Sequence, residues 1–184
     1  MRVPMKFLLA AALVVPAGLV ATSAVPAGAA GGTTCAHTSG TATFKPALPK
    51  SGSATTVKPK VTTKKSKITS CSGGGVTSAK FNTAAKFKTA TNCDILLSGN
   101  PSPKPPTGTI TTTWNTGATS TASVTLNPVS GQPTQTHITG TITSGLFNGL
   151  KLDSTISFVP KTGDCLTTDL SAVTFSEVSA LTIS

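Results

Sequence analysis

After residue 29 the chain carries no 3.6-residue apolar repeat, while several stretches carry a strict two-residue one. From Thr77 to Thr89, Ala79, Phe81, Ala85 and Phe87 fall on one side. Lys80, Asn82, Lys86 and Lys88 fall on the other, with a bend expected near Thr83. Thr134 to Thr143 places Ile138 and Ile142 together. Leu150 to Val159 turns Leu152, Ile156 and Phe158 inward and Lys151, Asp153 and Ser157 outward. Thr41–Lys45, Val61–Ser70, Leu170–Phe175 and Val178–Ile183 read as shorter strands, with Glu177 isolated near the last two. Pro46, Pro49 and Pro59 mark a loop, because proline cannot donate to a central ladder. Almost no helix is expected. About eight to ten short strands separated by Gly/Pro turns favour an antiparallel β-sandwich over a barrel.

Thr109 to Leu126 is the clearest strand-turn-strand signal, and it holds the single Trp. Two loops compete. A two-residue Thr116-Gly117 loop sets Trp114 beside Thr119. A three-residue loop with Gly117 left-handed sets Trp114 against Ala118 and Ile110 against Ala122. The second is favoured. It collects Ile110, Trp114, Ala118, Ala122, Val124 and Leu126 on one face, and a one-residue slip would mix the two faces. Trp114 reads as a core anchor in preference to a ligand-stacking ring.

The start of the chain reads as an export signal. Arg2 and Lys6 form a basic segment, Phe7–Val20 an apolar run broken by Pro16, and Ala27-Gly28-Ala29 a small-residue cleavage site. The apolar run is too short to span a membrane as a helix. A signal peptide over residues 1–29, a single domain over 30–184 and an extracellular location are therefore expected. In that compartment Cys35, Cys71, Cys93 and Cys165 read as two disulfides, with no zinc-ribbon or redox spacing among them. Cys35 begins the first strand and Cys71 ends the second, so antiparallel neighbours bring them to one end. Cys71 and Cys93 flank a long strand and lie on the order of 40 Å apart. The pairing expected is Cys35–Cys71 and Cys93–Cys165.

Thr113-Trp114-Asn115-Thr116-Gly117-Ala118-Thr119-Ser120-Thr121 and Thr139-Gly140-Thr141-Ile142-Thr143-Ser144-Gly145-Leu146-Phe147-Asn148-Gly149 resemble segments of small secreted actinobacterial proteins. The four-cysteine layout and a Thr-rich closing strand are similar too. The resemblance covers most of the chain after the leader and implies an immunoglobulin-like fold. It implies no activity and carries over no functional residues.

Little in the sequence points to catalysis. There is no Gly-x-Ser-x-Gly, and Asp94, Asp153, Asp164, Asp169 and Glu177 form no recognised carboxylate pair. Asp164 and Asp169 read as turn residues in preference to calcium ligands, and no cofactor or metal is expected. A secreted hydrolase using His137, on a strand face pointing to solvent, is the alternative to a non-catalytic module.

Charge supplies the strongest surface signal. The formal net charge is +10, two lower once Arg2 and Lys6 leave with the signal. Lys45, Lys50, Lys58, Lys60, Lys64, Lys65, Lys67, Lys80, Lys86 and Lys88 all precede the first acid, Asp94. No Arg or Tyr follows the leader, so the forks and stacking platforms of nucleic-acid readers are missing. A solvated, aggregation-resistant sheet edge accounts for such a cluster. The functional reading is contact with an anionic cell-wall polymer or acidic lipid headgroups through Lys64, Lys65, Lys67, Lys80, Lys86 and Lys88.

Overall fold

The computed structural model describes residues 31–81 and 85–184. The leader, Asn82 and the bend expected at Thr83 lie outside the described residues. The elements in order are β1 (Thr33–Leu48), β2 (Lys60–Ser72), β3 (Ala79–Phe81), β4 (Ala85–Phe87), α1 (Cys93–Leu97), β5 (Thr107–Trp114), β6 (Thr119–Pro128), β7 (Gln135–Gly145), β8 (Lys151–Thr162) and β9 (Leu170–Ile183). The one described helix has five residues. Asn92 caps it, its Oδ1 accepting the Ile95 amide at 3.0 Å.

Every pairing between neighbouring strands is antiparallel, and β9 returns to pair with β1. β3 and β4 share one place in the wall, both lying between β2 and β5. The sheet therefore closes into an eight-strand, up-and-down barrel. The all-β, antiparallel expectation stands, and the immunoglobulin-like sandwich is replaced by a closed sheet. Period-two alternation is common to both architectures, because each has one dry and one wet face. Two expected short strands, Leu170–Phe175 and Val178–Ile183, are one strand, β9. Register breaks near residues 154–156 of β8 let it run on through Glu177. β1 likewise continues past Pro46 to Leu48, and its pairing with β9 is interrupted between Thr43 and Leu48, where proline has no amide to give.

The hairpin has the three-residue loop. Thr113 faces Thr119 and Ile110 faces Ala122, the Trp114 amide donates to the Ala118 carbonyl, and Gly117 has φ +82°. Inward positions hold Phe44, Val61, Ile68, Trp114, Val124, Ile142, Leu152, Ile156, Phe158 and Leu181, all buried. At Gly40 a Cβ would come within 2.6 Å of the Phe175 ring, so a bare backbone is what lets that ring lie across β1.

Both mouths are plugged. At one end the Trp114 and Phe147 rings meet edge to face, 5.2 Å apart, and Trp114 Nε1 donates to Ser120 Oγ at 2.8 Å. The other end is covered by α1, with Leu96 fully buried, and by the turn after β8. The disulfides are Cys35–Cys71, at directly paired positions of β1 and β2, and Cys93–Cys165, tying α1 to that turn. Both match the expected pairing.

Three aspartates hold this second cap. Asp94 accepts the Gly52 amide at 2.8 Å and Asp169 the Lys50 amide at 3.0 Å. Asp164 accepts the amides of Leu166, Thr167 and Thr168 and the Thr167 hydroxyl. Those bonds, led by the Thr167 hydroxyl, hold its carboxyl well below the usual carboxylate range. A depressed pKa stabilises the fold above the ordinary carboxylate value and stops doing so as pH falls below it. Asp164→Asn is therefore expected to lower the melting temperature at pH 7 and to flatten its decline between pH 5 and 2. A parallel decline in variant and parent would remove this role.

Candidate functional site

Lysines take the outer face of β1, β2 and β3. Lys64, Lys65, Lys67, Lys80 and Lys88 are exposed, and Lys86 is placed on β4 by backbone register. A bulge sharpens the display. Ser39 pairs with Lys67 and Thr41 with Lys64, leaving two β2 residues opposite one on β1. Lys65, at φ +52°, absorbs the extra residue, and Lys64 and Lys65 both reach solvent.

Lys45 pairs directly with Lys60, and Lys60 with Lys86, so three lysines occupy one row across β1, β2 and β4. Like charges directly opposite one another destabilise a sheet. Among the described residues the salt bridge present is His137–Asp153, on β7 and β8, and no acid lies on the lysine-bearing strands β1 to β4. Among the described residues, no acid therefore pairs with the lysines of this wall.

His137 Nε2 and Asp153 Oδ2 lie 2.8 Å apart, with the histidine side chain 40 % exposed. They stand on the outer face of the barrel, as expected for His137. The carboxylate takes one ring nitrogen, Nε2, and among the described residues no hydroxyl is bonded to this ring. Asp94, Asp164 and Asp169 are engaged in the cap, and no cluster of His, Cys, Asp or Glu suited to a metal is found among the described residues.

Inside the wall lies a feature the sequence reading did not single out. A cavity of about 110 Å³ sits in the barrel, bounded by Phe44, Phe81, Phe87, Ile110, Leu126, Ile138, Phe158 and Phe175 among others. Small residues leave the space: Ala42 on β1, Gly108 on β5 and Ser154 on β8 occupy inward positions where a branched side chain would fill it. The signal was present as Ala, Gly and Ser at apolar-phase positions, but it has meaning only once those strands face one another.

Glu177, expected between two short strands, lies within β9. It pairs with inward-facing Ile156 and continues the phase of Val173 and Phe175. Burial pushes its carboxyl up, partly offset by the Thr38 amide and by His37. Neither Glu177 Oε2 nor Thr38 Oγ1 completes a hydrogen bond.

No described helix is long and apolar enough to cross a membrane. No family model, curated protein or solved structure matches this chain.

Proposed function

We propose that this protein is an exported, non-catalytic binding module that holds an anionic cell-wall polymer against the lysine wall of β1, β2 and β3. The observation that carries this reading is Lys45 directly opposite Lys60, with Lys86 next in the backbone register and no acid on β1 to β4. Its outward neighbours on β2, Thr62 and Thr69, are polar. Such a face offers charge without apolar side chains to enter a bilayer, which favours a charged chain over lipid as the partner. Two disulfides suit a fold that works outside the cell.

Co-sedimentation with purified cell walls tests the reading, with acidic phospholipid vesicles as the second arm. Retention on walls is expected to fall as salt rises. Reversing Lys64, Lys65 and Lys67 to Glu together is expected to weaken it about a hundredfold, at ~1 kcal/mol for each lysine near an anionic surface. Lys60→Glu is expected to do two opposite things: weaken retention and raise stability by roughly 0.5–1 kcal/mol as the like-charge row is broken. Retention indifferent to salt and to the triple reversal sinks the proposal, and retention on vesicles alone moves the partner to lipid headgroups.

A further inference from the structure

We infer that the barrel interior is a binding site for one small, uncharged hydrocarbon-like molecule, of about the bulk of a single aromatic ring. This site is separate from the lysine wall and stands whether or not that wall binds a polymer. Its basis is a mismatch between pattern and filling. An eight-strand barrel has an interior that side chains can just fill, or that can admit one small ligand. Here filling fails at Ala42, Gly108 and Ser154, each on a different strand and each facing inward. Around that gap stand Phe44, Phe158 and Phe175, all buried.

The chemistry of the lining sets the class of guest. The lining open to a guest is carbon; of its hydroxyl-bearing residues, Ser154 gives its hydroxyl to the Ser179 carbonyl, and Thr38 Oγ1 is buried. A charged or strongly polar molecule would leave its hydration outside and meet at most the neutral Thr38 hydroxyl within. Water gains little there for the same reason, since a buried water needs two or more polar partners. An apolar cavity of roughly 150 Å³ in another protein stays dry and accepts benzene, which sets the scale for the present 110 Å³. The Trp114–Phe147 pair stands at one mouth of the barrel and α1 at the other.

Benzene is the probe, with benzoate as the charged control, followed by thermal unfolding and by shifts of the Ile110 and Ile138 methyl signals. Saturable stabilisation by benzene is expected, growing with the logarithm of its concentration above the dissociation constant. Benzoate is expected to produce no shift. Ala42→Leu, which fills the gap, is expected to weaken benzene binding at least tenfold; Val124→Ile is the milder variant should the first fold poorly. Absence of a saturable effect of benzene on the wild type overturns the inference. So does benzene binding that neither filling variant alters, since the site would then lie elsewhere. Failure here leaves wall retention untouched, because that assay reads only the outer face.

Discussion

Replacing Cys93 and Cys165 with serine is expected to lower the unfolding free energy by about 4 kcal/mol, the value for a closed loop of this length in the chain-entropy account. The bridge spans 72 residues of sequence, and its Cα atoms lie 5.7 Å apart, comfortably within bonding reach. It does more than shorten the unfolded chain. Cys93 opens α1, whose Leu96 is fully buried over the end of the barrel, and Cys165 sits in the turn between β8 and β9. The Cys93 amide donates to the Pro49 carbonyl and the Ser51 amide to the Cys165 carbonyl. Cutting the bridge therefore loosens three segments that close one mouth. A domain of this size has only about 5–15 kcal/mol to lose. Urea unfolding of the variant against the oxidised parent measures the loss. A difference under 1 kcal/mol would show that the hydrogen bonds hold the cap alone.

A comparable loss, about 3–5 kcal/mol, is expected for Trp114→Ala. The indole is 2 % exposed, meets Phe147 edge to face and donates to Ser120 Oγ, which in turn donates to the Leu146 carbonyl. Alanine leaves a cavity at the mouth and withdraws one of the two partners of a buried hydroxyl. Trp114→Phe separates these terms: it keeps an aromatic ring beside Phe147 and is expected to cost about 1 kcal/mol for the lost N–H contact, plus a smaller volume term. The parent has one Trp, so its fluorescence reports this end of the barrel directly. If alanine costs less than 1 kcal/mol, Trp114 is not the anchor of that plug.

How much of this was legible in the chain varies by element. The β5–β6 register was, because Gly117 supports a left-handed loop residue and only one pairing gathers Trp114, Ala122, Val124 and Leu126 on a single face. The inward set of β8 was, because Leu152, Ile156 and Phe158 alternate without a break. The disulfide pairs were, because strand direction places Cys35 beside Cys71. Glu177 was not, because one acid between apolar runs looks like a strand end until β9 is seen to pass through it. The bulge at Lys65 was not, because an extra residue is defined only by the strand opposite. Lys64 and Lys65 were legible as charges, while the row Lys45–Lys60–Lys86 appeared only with the cross-strand register.

By itself the sequence determined a wet and a dry side for each strand, the positions of the turns and an unneutralised excess of lysine. Those are local properties, set by side-chain alternation, by backbone freedom at Gly and Pro, and by composition. The tertiary structure alone decided that β9 meets β1. Closure depends on strand tilt and stagger summed around the whole sheet, which no local window contains. That closure turned a set of apolar stripes into the lining of a cavity, with Ala42, Gly108 and Ser154 brought together around it.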